Sequence, residues 1–357
     1  MKIGILTYHQ AENFGAIVQA YALLTYLNSQ GHDAEIIDYR CRAIEVHYHI
    51  FNPAILLSRK NVRLSLMEYL NRFKNITDRK VRKRKFADFI QKYIPISPAL
   101  YHIKSPLNYD TVIVGSDQVW NFYLNKGSEN VYLLDFPFNE HTQKLSYAAS
   151  SERNGLNRIQ PETLKRCLNS FERISVRESF LKTELANYTD KPINVCLDPT
   201  FLLRKEDYMK LVHKPLDEKY ILVYHMTPMP EYIPAIEKIA EENHCGIIEL
   251  YGGYHTGDKK RIVSDWGPID VLGLICHAQM VFTTSFHGLA LSLILKKNVW
   301  VINKGDNFRQ QNLLSIAGLS HRLLKGMDNY SQQDIDYDKV TTKLQPVIEL
   351  SKLFLKL

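Results

Sequence analysis

Residues 2–39, KIGILTYHQAENFGAIVQAYALLTYLNSQGHDAEIIDY, carry the pattern that decides the fold. Lys2–Tyr8 is an apolar run that ends in polar residues, the mark of a short strand. Asn13-Phe14-Gly15 opens a helical stretch, Ala16–Asn28, and Gly31 stands where a left-handed residue would end it. Ala34–Tyr39 reads as the next strand. Strand, glycine turn, helix, strand is the opening of a doubly wound α/β sheet.

The rhythm breaks over residues 41–100, which are polar, basic and aromatic and read as helices outside the sheet. Strands return at Tyr109–Val114 and Lys144–Ala149, a helix at Pro161–Asn169, and strands at Glu172–Val176 and Ile193–Leu197. A second series follows: strand Tyr220–Tyr224, helix Tyr232–Asn243, strand Gly246–Leu250, helix Val271–His277, strand Met280–Thr283, helix Gly288–Leu295 and a last strand, Asn298–Ile302. Two βα series predict an α/β protein of two Rossmann-like domains facing a cleft. The first covers 1–203 with the helical basic insertion 41–100, and the second covers 204–340. Residues 341–357 form an amphipathic helix expected to pack back on the first domain.

Composition bounds the function. Hydrophobic residues make up 45% and charged residues 23%, as in a globular chain. The five cysteines form no CxxC pair, which argues for reduced thiols rather than a disulfide framework or zinc ribbon. Residues 1–8 do not read as a signal peptide, and no apolar run approaches the roughly 20 residues of a membrane span. The expected place is the cytoplasm. Net charge is +7, with its excess in Arg79–Lys85. Such a run either attracts an anionic surface or is a solvated helix face. No nucleic-acid module accompanies it, so nucleic acid is not an expected partner.

In open α/β sheets ligands bind beyond the C-terminal strand ends, and four segments there are rich in polar groups. Thr283–Gly288 (TTSFHG) joins a strand to a helix whose first N–H groups can hold an anion, with His287 able to exchange protons near neutral pH. The plainer alternative is a capped helix start with a structural histidine. Arg177, after a strand end, suits bidentate capture of carboxylate or phosphate, or else pairs with Glu178 or another acid. Gly115–Trp120 (GSDQVW) offers Asp117 as a base and Trp120 as a sugar platform, or an N-cap and a core ring. Glu12–Gly15, with His9 nearby, is a glycine turn but not GxGxxG, so dinucleotide binding gains no support. The histidines show no metal spacing, and no metal is expected.

Read together, these segments resemble the polysaccharide pyruvyl transferase family over nearly the whole chain. The matching stretches are Asn13–Leu23, Gly115–Asn121, Leu145–Ser150, Ser175–Glu178 (SVRE), Leu197–Leu202 (LDPTFL), Gly267-Pro268, Ala278–Gly288 and Asn307–Arg309. The resemblance implies a GT-B-like fold, phosphoenolpyruvate as co-substrate with no cofactor, and a sugar diol as acceptor. The product would be a pyruvate ketal on a surface polysaccharide or on its polyprenyl-diphosphate-linked precursor. A lipid-linked acceptor would place the enzyme on the inner face of the cytoplasmic membrane, docked through Arg79–Lys85. The first domain is then the acceptor side and the second the donor side. The resemblance assigns Arg177 and His287 to the donor site, with Ser285, Phe286 and Gly288 around them. Some relatives carry an arginine where this chain has Ser285, so Arg309 is the expected replacement cation. His287 is the expected proton donor and Asp117 the group that orients or deprotonates the acceptor. His9, Asn13, Gln118 and Trp120 are expected on the acceptor wall. Two other classes fit the same residues. One is a GT-B glycosyltransferase using a nucleotide sugar, with Asp306 the nearest acid after TTSFHG. The other is a non-catalytic glycan- or lipid-binding protein.

Overall fold

Two all-parallel sheets organise the molecule. A computed structural model describes residues 1–48, 76–213, 218–227, 229–251, 262–305 and 307–357; the rest of the basic insertion, and Asp306, lie outside the described residues. The first sheet contains β1 (Lys2–Leu6), β2 (Asp33–Ile36), β3 (Thr111–Val114), β4 (Gln143–Ala149), β5 (Arg173–Val176) and β6 (Ile193–Val195), in the order β2-β1-β3-β4-β5-β6. The second contains β7 (Tyr220–His225), β8 (Gly246–Tyr251), β9 (Ile262–Val263), β10 (Met280–Thr283), β11 (Asn298–Ile302) and β12 (Leu323–Leu324), in the order β12-β11-β10-β7-β8-β9. This is the expected α/β class of two Rossmann-like units. β9 and β12 have two residues each, and β12 makes Asn298–Ile302 the penultimate strand rather than the last. Strands this short carry no period to read.

Seven helices position the site: α1 (Phe14–Ser29), α2 (Arg42–Tyr48), α3 (Ile76–Tyr93), α4 (Pro268–His277), α5 (Phe286–Ile294), α6 (Phe308–Ala317) and α7 (Tyr337–Phe354). Gly31, at φ +85°, follows the end of α1 in the left-handed region, as its place in the sequence predicts. Helix α7 lies against the first sheet's side of the molecule. The Leu197 N–H donates to Ser351 Oγ at 2.9 Å, and Arg173 donates to the Phe354 carbonyl at 2.9 Å. Among the described residues no helix is long and apolar enough to cross a membrane.

In each sheet the chain reverses direction of growth beside its first strand, between β1 and β3 and between β7 and β10. Strand ends diverge at such points and leave a crevice. The two crevices face one another because a single apolar core runs from β1 through α1 into α4 and α5. Phe14, at the start of α1, meets Tyr224 of β7 edge-on with ring centroids 6.2 Å apart.

Helix α3 carries the basic run Arg79–Lys85 and closes the seam between the units. Arg79 and Arg82 are buried. The Arg82 guanidinium lies 3.6 Å from the centroid of the buried Trp266 ring and donates to the Glu12 carbonyl at 2.8 Å. Lys85 Nζ reaches Asp270 at 2.9 Å and Asp265 at 3.7 Å, and the Ser264 hydroxyl donates to Asp78 at 2.5 Å. The run is therefore not a uniformly solvated cationic face. Only Lys80, Lys83 and Arg84 stay exposed, because the other cations fall on the face that α3 turns toward the second sheet.

A desolvated cation–π stack contributes about 2 kcal/mol and a hydrogen bond about 1 kcal/mol. Arg82→Ala is accordingly expected to lower stability to urea by about 2–4 kcal/mol, while Lys83→Ala stays within about 0.5 kcal/mol of the parent. Equal unfolding midpoints for the two variants would show that α3 does not hold the seam.

Candidate functional site

The facing crevices form one cavity of about 950 Å³. Its first wall begins where β1 ends. Asn13 caps α1 by accepting from the N–H groups of Gly15 at 2.9 Å and Ala16 at 3.3 Å. Its second wall begins where β10 ends. Ser285 caps α5 by accepting from the Gly288 N–H at 3.2 Å, and Thr284 Oγ1 accepts from the Met226 N–H at 2.8 Å. Local capping chemistry thus fixes two helix N-termini at the cavity, each presenting positive backbone dipole. Helix α6 brings Arg309 to the same space.

His287 lines this cavity as the second residue of α5. Its Nε2 stands 3.3 Å from Asp198 Oδ2, a carboxylate of the first unit. Its Nδ1 side packs over Gly15: a Cβ built on that glycine would lie 2.0 Å from Nδ1. The glycine of the α1 turn is therefore the gap into which the His287 imidazole fits, a close approach that no other residue permits.

Asp198 is fully enclosed and saturated with donors. Oδ1 accepts from Thr200 N at 3.0 Å and Thr200 Oγ1 at 2.8 Å, and Oδ2 accepts from Arg177 at 2.7 Å. Burial alone would push its carboxyl up. His287, Arg177 and the Thr200 N–H outweigh that and hold it well below the usual carboxylate range. Arg177 also donates to Glu178 Oε1 at 3.0 Å and to Ser150 Oγ at 2.8 Å, and its guanidinium lies 4.4 Å from the Phe286 ring centroid. Burial opposes the charge of Arg177, yet Glu178 and Asp198 raise its proton affinity above the ordinary value. Arg309 has the reverse environment. Burial, followed by the neighbouring charge of Arg177, lowers its proton affinity, and Glu178, Asp117 and Glu152 only partly compensate. Arg309 therefore has too little negative charge around it and favours an anion in the cavity.

Asn13, Asp117, Gln118, Ser285, Phe286, His287 and Arg309 all line the cavity. Four other residues expected at the site do not line it. Arg177 lies beneath the cavity wall, held by Glu178, Asp198 and Ser150, and takes the ion-paired form that its sequence context left open. Gly288 serves packing rather than ligand approach: a Cβ there would meet Thr283 Oγ1 at 2.5 Å and the Tyr224 ring at 2.8 Å. His9 is enclosed away from the cavity, with Nε2 2.7 Å from Asp38 Oδ1 and Nδ1 3.2 Å from the Thr7 carbonyl. Trp120 is fully buried, donating its indole N–H to the Tyr132 carbonyl at 3.0 Å, and presents no face to a sugar. The chain turns inward after Asp117, whose φ is +66°. Sequence reasoning missed Asp198 and Gly15 as site residues, although both lie in stretches that carry the family resemblance. Among the described residues no group of three or more His, Cys, Asp or Glu converges as metal ligands.

Because the folded pKa of Asp198 is depressed, its contribution to stability is complete above the ordinary carboxylate pKa and disappears as pH falls through the folded value. Asp198→Asn leaves a buried arginine short of a counter-charge, which costs about 3–5 kcal/mol. The deficit against the parent is expected in full at neutral pH and smaller in acid below about pH 4. A deficit that grows on acidification would contradict the charge state assigned here.

No curated protein sequence matches the chain. Similar solved structures include the UDP-GlcNAc 2-epimerase of Neisseria meningitidis bound to UDP-GlcNAc, at 11% identity and TM-score 0.49 over 100% of this chain and 93% of that one. The UDP-GlcNAc 2-epimerase of Methanocaldococcus jannaschii is 14% identical at TM-score 0.46, covering 98% and 93%. The E. coli heptosyltransferase WaaC with ADP is 11% identical at TM-score 0.38, covering 97% and 100%. The family described as polysaccharide pyruvyl transferase matches residues 13–306, which takes in Asp117, His287 and the Asp198 link between the walls but stops short of Arg309. By that match over most of its length, the chain belongs to the polysaccharide pyruvyl transferase family.

Proposed function

We propose that the protein moves the enolpyruvyl group of phosphoenolpyruvate onto two hydroxyls of one sugar, giving a pyruvate ketal and phosphate. The observation that carries this reading is His287, placed in a cation-lined cavity and held by a carboxylate from the opposite wall. Phosphoenolpyruvate brings a carboxylate and a phosphate. Arg309 and the N-termini of α5 and α6 offer complementary charge to both, with Lys304, itself paired to Glu231, at the cavity edge.

The steps follow from that placement. His287 delivers its proton to the donor's methylene carbon, which becomes a methyl group, and C2 becomes electrophilic. One acceptor hydroxyl attacks C2, and Asp117, which lines the same cavity, orients it or takes its proton. Phosphate then leaves with the C2–O bond electrons, and the second hydroxyl closes the ketal. The diol loses two protons in all: one makes good the proton His287 gave to carbon, and the other goes out with phosphate or solvent. Arg177 supports this machinery from below by fixing Asp198.

The acceptor is proposed to be a sugar of a surface polysaccharide or of its polyprenyl-diphosphate-linked precursor, on the cytoplasmic side of the membrane. Lys80, Lys83 and Arg84 are the residues of the basic run left to meet anionic lipid. Phosphate release with phosphoenolpyruvate, and none with nucleotide sugars, is the expected outcome that separates this reading from glycosyl transfer.

His287→Ala is expected to fold normally and to lose about 10²–10⁴-fold in turnover, the usual contribution of a general acid–base group. Gly15→Ala should approach that loss without touching an ionisable group, because its methyl displaces the imidazole and a misplacement of about 1 Å costs on the order of 10²-fold. Turnover near that of the parent in either variant, measured as ketal formation, would remove the corresponding residue from the mechanism. Arg309→Gln tests the donor end. Hydrogen bonds to charged groups contribute about 1.5–3 kcal/mol, so the phosphoenolpyruvate KM is expected to rise about 10–100-fold. An unchanged donor KM would place the anion elsewhere.

A further inference from the structure

The second-unit wall of the cavity carries Arg309, Lys304 and His287, while its first-unit wall carries Tyr123 and Leu124 beside Gln118, Asp117 and Lys126. A three-carbon anionic donor satisfies the cationic end and leaves the remainder of the roughly 950 Å³ open. Tyr123 is 57% exposed and Leu124 43%, whereas the large apolar side chains around them are buried. Met226, 40% exposed, adds a third uncovered apolar group from the second unit.

These two residues are not carried on a slack loop. Asn121 Oδ1 accepts from the Tyr123 N–H at 3.3 Å, and its amide donates to Gln118 Oε1 at 2.8 Å. The Leu124 N–H donates to the Asn121 carbonyl at 2.9 Å. On the far side Asn125, fully buried, donates to the Val119 carbonyl at 2.7 Å and to Tyr8 Oη at 2.8 Å. Two anchored asparagines thus hold an aromatic and an aliphatic side chain out into the cavity, where each leaves apolar surface in water. The Arg158 guanidinium, 5.5 Å from the Tyr123 ring centroid, further restrains that ring.

We infer that Tyr123 and Leu124 form the platform on which the acceptor pyranose rests. A pyranose presents a face of C–H groups and a rim of hydroxyls. The C–H face matches a tyrosine ring flanked by leucine, and the rim matches the amide of Gln118 and the carboxylate of Asp117 on the same wall. The platform takes the place that Trp120 holds in the sequence reading. The inference rests on reading the cavity as a pyruvyl transfer site, since that reading puts a sugar next to the donor.

The test uses saturation-transfer NMR on the full chain, with methyl glucopyranoside, methyl galactopyranoside and methyl mannopyranoside as acceptor probes and phosphoenolpyruvate as a separate probe. The parent is compared with Tyr123→Ala, Tyr123→Phe and Leu124→Ala, after thermal midpoints confirm folding. Expected are ring C–H signals from at least one pyranoside in the parent, a loss of at least tenfold in Tyr123→Ala, a smaller loss in Leu124→Ala, and retention in Tyr123→Phe. Phosphoenolpyruvate signals stay the same throughout. Equal sugar signals in the parent and Tyr123→Ala would overturn the platform. So would the absence of any sugar signal in the parent, or a change of oligomeric state in Tyr123→Ala with sugar binding intact. If the parent ignores phosphoenolpyruvate but binds sugar through Tyr123, the platform stands and the pyruvyl transfer reading falls.

Discussion

The Asp198 carboxylate is the point on which the site depends. It is buried where an isolated charge would not survive, and it stays ionised because Arg177, Thr200 and His287 surround it. Three of those contacts come from the first unit and one from the second. The same oxygen that neutralises Arg177 faces His287 Nε2, so orientation of the imidazole and burial of the arginine are one problem with one solution. The packed core through α1 and the α3 seam hold the two sheets where this contact can form.

The charge arrangement divides labour between two arginines that look equivalent in sequence. Arg177 is overcompensated by carboxylates and acts within the protein. Arg309 is undercompensated and faces the open cavity. A buried ion pair contributes little net stability by itself. Its value here lies in geometry: it fixes the carboxylate that faces His287.

The fold was legible because parallel strands covered on both faces read as apolar runs, such as TVIV in β3 and MVFT in β10. Helix starts were legible where a capping residue stood, as at Asn13 and Ser285. Of the residues singled out after strand ends, Asn13, Asp117, Gln118, Ser285 and His287 reach the cavity. The same signal misled at His9 and Trp120, because it says that a chain leaves the sheet and not which way each side chain then points. Asp198 was unreadable in its role for a different reason: its partners lie 21 and 89 positions away. Periodicity and local motifs carry no information at such separations. The basic run divides in a way its charge alone does not show. Six cations in seven residues look like a surface, yet the helical period delivers Arg79 and Arg82 to the seam.

The contact between Gly15 and His287 also limits how the sequence can change. A side chain at 15 would occupy the volume of the imidazole, so the two positions cannot drift independently although they belong to different structural units. Exchanging either half of the molecule for that of a distant relative would separate a lock from its key, even where each half folded well by itself. The missing methyl group of one residue is, in this sense, part of the active-site inventory of the other.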